Sequence, residues 1–277
     1  MKKKMRNPLW KRLPRELVGD IGKYLVIFLF MTATIGFVSG FLVADESMLE
    51  AYDESFEKYR IENGNFTLDS QATEEKLSDL GKEGVTIYEN FYLDEPVDVD
   101  LDGTSDGTMR IFKKREEVNL VCLMKGTFPE TADEIAIDRM DADNNSLAVG
   151  DTITVGGKEL KITGLVALSD YSALFSDPGD LMFDSVKFGV SVLTPEGFAA
   201  FPDTHMKYCY SWLYEKKPAD DTEEKEMADD FLELLAAKTD ISGYLPGYLN
   251  QAIRFTGDDM GGDKAMVEVL LYILIAI

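Results

Sequence analysis

The chain has 277 residues with 28 Lys and Arg against 51 Asp and Glu, a formal net charge of −23. The imbalance is concentrated between residues 45 and 265, where 20 cations face 48 acids, a balance of −28. That excess argues against nucleic acid or anionic lipid headgroups as partners of this stretch.

The N-terminal 23 residues have the opposite sign, with eight cations (Lys2, Lys3, Lys4, Arg6, Lys11, Arg12, Arg15, Lys23) against Glu16 and Asp20. Helical spacing places Leu9, Trp10, Leu13, Leu17, Val18 and Ile21 on one side, with Lys11, Arg12 and Arg15 opposite. Pro14 suits the first turn of such a helix. Two readings stay open: a helix on the inner membrane surface with a docking face for a cytoplasmic partner, or a basic flank that only sets topology.

Residues 24–44 (YLVIFLFMTATIGFVSGFLVA) carry no charge. At about 1.5 Å per residue they reach roughly 31 Å, the thickness of a hydrocarbon core. The basic flank predicts a cytoplasmic N-terminus and an extracytoplasmic body. The run is too long and starts too late for a cleaved signal peptide, and no small-residue cleavage site closes it, so an uncleaved anchor is expected.

The body reads as mixed α and β. A polar amphipathic stretch (46–59) leaves the membrane, followed by a strand at 65–68, a helix at 73–82 and strands at 85–93 and 109–113. Short strands are then expected at 118–124, 134–137, 146–149, 152–155 and 160–168. Gly156-Gly157 between two β-rich runs predicts a two-residue hairpin. A strand at 188–193, a Pro195-led helix to 201, a strand at 208–215 and a helix at 221–238 complete the series. The expected fold class is an α+β membrane protein. Residues 45–117 and 186–264 would form a discontinuous α/β part, with 118–185 as an inserted small β module.

A second apolar run, AMVEVLLYILIAI, occupies residues 265–277. It is too short to span and is read as the start of a second transmembrane helix, cut by the end of the sequence.

Candidate chemistry is sparse. His205 sits in a polar loop without a nucleophile motif and is expected at the surface. There is no zinc spacing, G-x-S-x-G or H-E-x-x-H, and no catalytic or cofactor-binding residue is assigned. No Walker A sequence occurs, so any ATP hydrolysis belongs to another polypeptide. In DVDLDGTSDGTM, Asp98, Asp100, Asp102, Gly103 and Asp106 match a calcium loop, but Met109 stands where the bidentate Glu belongs. An acidic hairpin tip is the alternative that its strand-like flanks favour. Cys122 and Cys209 would lie outside the membrane, where a bridge is chemically allowed; their apolar, strand-like surroundings favour two buried free thiols over the bridge.

The tract Gly126 to Asp138 (GTFPETADEIAID) with Ser146 to Val166 (SLAVGDTITVGGKELKITGLV) resembles the extracytoplasmic domain of MacB/FtsX-like ABC transporter permeases. The resemblance rests on Gly126, Pro129, Glu134, Ile135, Ile137, Asp138, Leu147, Val149, Gly150, Asp151, Ile153, Ile162, Gly164 and Leu165, read as fold-determining rather than catalytic. It implies a permease without ATPase activity, located in a bacterial plasma membrane. Its partners would be a cytoplasmic ABC ATPase, a second permease copy or homologue, and the bilayer. Trp10, Arg12 and Arg15 would lie near the ATPase. The rival reading is a membrane-anchored extracellular sensor whose second helix leads to a signalling domain.

Overall fold

A computed structural model describes residues 18–81, 84–180 and 182–276. The amphipathic face proposed around Trp10, Arg12 and Arg15 lies outside them. The described residues form two compact units: one of the helical stretches up to Glu50 and from Met260 onward, the other Ala51–Asp259.

Helix α1 (Ile21–Lys58) joins the charge-free run and the acidic stretch after it in one uninterrupted 38-residue element. Its apolar part is fully unburied, and among the described residues it is the one helix long and apolar enough to cross a membrane. Large side chains such as Phe28, Phe30 and Phe37 are exposed along it, as lipid-facing residues are.

In the second unit, β1 (Gly64–Leu68), β2 (Val85–Glu89), β10 (Met206–Tyr214) and β11 (Ile241–Pro246) form an antiparallel layer ordered β11-β1-β10-β2. Strand alternation sends Phe66, Leu68, Tyr210 and Trp212 to one face, against α2 (Glu74–Gly81) and α5 (Asp221–Lys238). There Trp212 stacks on Tyr244 at 5.2 Å and meets Phe231 at 5.0 Å. The opposite face carries Asn65, Thr67, Cys209 and Ser211.

The remaining strands close on themselves. They are β3 (Tyr92–Asp98), β4 (Gly107–Lys113), β6 (Glu134–Asp138), β7 (Thr152–Val155), β8 (Lys158–Leu168) and β9 (Phe188–Leu193). Pairing runs β3-β4-β9-β6-β8-β7 and returns from β7 to β3, giving a small barrel, with β5 (Val121–Gly126) added at the edge of β8. Leu93, Met109, Ile111, Ile135, Ile153 and Ile162 fill its interior, and Ala142 of α3 (Arg139–Asn144) and Phe198 of α4 (Pro195–Ala199) pack on the same cluster. Residues 118–185 supply β5 to β8, while β3, β4 and β9 come from outside that span.

The expected strand over 85–93 is two elements in one register: Glu89 faces Tyr210 and Tyr92 faces Lys207, with Asn90 and Phe91 between them. The chain thus passes from layer to barrel along a single strand path. Both glycines of the 156–157 hairpin have positive φ, 56° and 78°, as the two-residue turn between β7 and β8 requires. Residues 146–149, expected as a strand, form turns instead. Ser146 and Gly150 take φ of 57° and 106°, and Asp151 Oδ2 accepts the Ala148 N–H, which together rule out an extended run.

Helix α6 (Gln251–Ala276) begins well before the apolar run, in the core of the second unit, where Ala252 and Ile253 are buried. Its first two turns hold the loop after β8: Ser172 N and Ala173 N donate to Ala252 O, and Thr256 Oγ1 donates to Ser172 O. Tyr52 of α1 donates to Ile253 O at 3.0 Å.

Candidate functional site

The polar residues that a fold of this kind must account for meet where layer and barrel join. Glu62 follows α1, Asn90 interrupts the β2–β3 path, Arg115 and Asn119 lie in the link between β4 and β5, Asp170 follows β8, and Ser211 is on β10. All six are buried.

Glu62 accepts hydrogen bonds from Asn65 Nδ2 at 2.6 Å, Asn119 Nδ2 at 2.7 Å and Ser211 Oγ, while its own N–H donates to Asn119 Oδ1 at 2.8 Å. Asn90 Nδ2 donates to Ser211 Oγ, and Arg115 Nη1 donates to Asn90 Oδ1 at 3.4 Å and to Asp170 Oδ2 at 2.6 Å. The Arg115–Asp170 pair is 5% and 6% exposed at its side chains, and the guanidinium lies 4.3 Å from the Phe112 ring centroid. Burial, then the charge of Asp170, pushes the Glu62 carboxyl up, against the three hydrogen bonds it accepts.

Beside this network opens a cleft of about 530 Å³. Asn65 and Thr67 of the layer, Tyr92 and Arg110 of the barrel, and the loop from Asp170 to Gly179 form its walls. Arg110 is committed: Nε and Nη2 pair with Asp94 at 2.7 and 2.9 Å, Nη1 donates to Tyr171 Oη, and the guanidinium stacks 4.3 Å above Tyr92.

Most residues singled out in the sequence lie elsewhere. Carboxylate oxygens of Asp98, Asp100 and Asp106 come within 4.8 Å of one another at the β3–β4 hairpin tip. Asp102 is apart and accepts from Thr104 instead, and Met109 is buried in the barrel. Asp98 and Asp106 accept backbone N–H groups of Gly103 and Val99, so both brace the loop. His205 is half exposed with Nδ1 against the buried Glu95. Cys122 on β5 and Cys209 on β10 are both free thiols.

The residues that carry the family resemblance make backbone contacts. Asp138 caps α3 by accepting from Met140 N at 2.7 Å, and Glu134 Oε2 accepts from Glu130 N and Thr131 N. Ile135 is fully buried and Pro129 is buried in the preceding loop. Gly126, at φ 77°, and Gly164 face each other across β5 and β8. A Cβ on Gly126 would stand 2.2 Å from Thr163 O, and one on Gly164 2.4 Å from Thr127 O. Backbone cannot yield as a side chain can, so Gly126→Ala and Gly164→Ala should each lose about 2 kcal/mol or more in denaturant titration. Gly150→Ala, with open space around it but φ of 106°, should lose only about 1 kcal/mol.

No protein-family model matches the sequence, and no curated protein does. In structure the chain is similar to the periplasmic region of MacB from Actinobacillus actinomycetemcomitans, with a TM-score of 0.39 and 10% identity over 70% of this chain and 94% of that one. It is also similar to the extracellular domain of noncanonic ABC-type transporter YknZ from Gram-positive bacteria, with a TM-score of 0.36 and 12% identity over 65% of this chain and 98% of that one.

Proposed function

We propose that this chain belongs to a MacB/FtsX-type ABC permease, in which a separate cytoplasmic ATPase drives movement of the extracytoplasmic domain to export, extract or regulate a substrate. The observation that carries the reading is the nature of the connections. Helix α1 runs without a break from the charge-free segment into the acidic body, and α6 runs without a break from buried Ala252 into the apolar stretch. Continuous helices transmit displacement along their axes, which a Gly- or Ser-rich tether would absorb. The tract from Gly126 to Val166 supports the same family, and the basic flank supports a cytoplasmic N-terminus. In this reading the run from residue 265 is a second transmembrane helix and residues 1–23 adjoin the ATPase.

The test is to express the full chain in a bacterial membrane with reporters at the N-terminus and within the 98–106 hairpin tip, and to identify what copurifies in mild detergent. An N-terminus inside, a tip outside and a copurifying ABC ATPase are expected. A tip on the cytoplasmic side, or a signalling kinase or cyclase in place of the ATPase, would refute the proposal.

A further inference from the structure

One wall of the cleft is a stretch of turns and bends after β8, from Ser169 to Asp180, that is tied to its surroundings on two sides. On the barrel side Arg110 donates to Tyr171 Oη at 3.1 Å and to Ser176 O at 3.2 Å. The other side is α6. Ala252 O accepts from Ser172 N and Ala173 N at 2.6 and 3.3 Å, and Thr256 N donates to Ser172 Oγ at 3.3 Å. Ala252 O and Thr256 N are the two groups that an α-helix pairs across one step, so Ser172 clasps α6 at that step. Thr256 Oγ1 adds a bond to Ser172 O at 3.2 Å, and the Phe255 ring meets those of Phe175 and Phe183 at 5.7 and 5.3 Å.

We infer that α6 is the latch of this cleft: its first two turns hold the loop wall closed, and release of that grip opens the cleft toward Cys209. The facing wall cannot yield in the same way, because Asn65, Thr67 and Cys209 belong to strands paired within the layer. A loop held by a few bonds opens at far lower cost than a sheet does. Cys209 lines the cleft yet is only 6% exposed, and Arg110 and Asp170 stand close enough for their charges to act on its thiol. The consequence for transport rests on the permease reading: a driven α6 would carry the loop with it and set the width of the cleft. The latch itself needs no ATPase, so its test succeeds or fails independently of that reading.

The experiment is N-ethylmaleimide labelling of Cys209 in the folded full chain in detergent micelles, with Cys122→Ser removing the other thiol. Thr256→Val deletes one hydroxyl bond at nearly constant shape and should speed labelling about fivefold. Thr256→Ser keeps the donor and should label as the parent does. Adding Phe255→Ala to Thr256→Val should raise the gain to about tenfold or more, with faster amide exchange across residues 170–180. Gly150→Ala, which weakens the same unit away from the cleft, should leave labelling at the parent rate. Labelling unchanged by Thr256→Val and by the double variant would overturn the inference. So would Gly150→Ala matching Thr256→Val, since labelling would then report general loosening and not release of the latch.

Discussion

Arg115→Ala should cost about 3–5 kcal/mol of the stability of the unit Ala51–Asp259, far more than the loss of an exposed ion pair. Both members are nearly excluded from water, at 5% and 6% side-chain exposure, so removing the guanidinium strands Asp170 in a medium that solvates its charge poorly. The loss spreads because Arg115 also donates to Asn90, whose amide holds Ser211, which in turn donates to Glu62. Denaturant titration followed by fluorescence of buried Trp212 reads the effect on the full chain. Arg115→Met with Asp170→Leu should recover a large part of the loss, since replacing a buried pair by apolar groups leaves no uncompensated charge. A cost below about 1 kcal/mol for Arg115→Ala would mean that water reaches the pair and that the junction is not held by it.

That network was invisible in the sequence because its six residues are scattered from position 62 to 211, each in an unremarkable local setting. The signals present were single polar residues in apolar surroundings: Ser211 within MKYCYSWLY and Asn119 between Val118 and Leu120. Elements with local causes were legible. The charge-free run gave α1, the paired glycines gave the β7–β8 turn, and apolar spacing gave α5. The first half of α6 was hidden by Gly257, Gly261 and Gly262 among polar residues. Its start is set by a local cap, in which Asn250 Oδ1 accepts from Ala252 N, and its early course by tertiary contact, since Gly257 sits where a Cβ would come within 2.4 Å of the Tyr52 ring. Strand β11 was hidden likewise, since ISGYLP contains a strand-weakening glycine; Gly243 is required because a Cβ there would meet Thr67 Oγ1 of β1 at 2.4 Å. Closure of the barrel depends on β3 meeting β7, a pairing across more than fifty residues that no local pattern encodes.

Stability of the unit Ala51–Asp259 should fall as pH rises from 5 to 8, the reverse of a domain governed by salt-bridged carboxylates. Burial pushes Asp141 up to about 7 and Asp138 up to about 6, from an ordinary value of 3.8. Asp141 Oδ1 accepts from Asn145 Nδ2 at 2.9 Å, whereas Oδ2 has no hydrogen-bond partner among the described residues and lies against Gly189, 2.4 Å from where a Cβ would be. Burial outweighs the Asn145 hydrogen bond, which on its own favours the charged form. The folded state therefore holds its protons more tightly than the unfolded chain. The resulting stabilisation is complete below about pH 4 and is lost as pH passes through the folded values near 6 and 7. The two groups are coupled, and together the change between pH 5 and 8 should be on the order of 2–4 kcal/mol. Glu62, also pushed up by burial, acts in the same direction. Asp141→Asn separates the contributions, because an amide keeps the Asn145 contact through its oxygen without a charge to bury. The variant should match the parent at pH 5, exceed it at pH 8 and show less than about half its pH dependence, by thermal unfolding of the full chain in micelles. A parent that gains stability between pH 5 and 8 would show that Asp141 is ionised in the fold, and that the space against Gly189 admits water to solvate it.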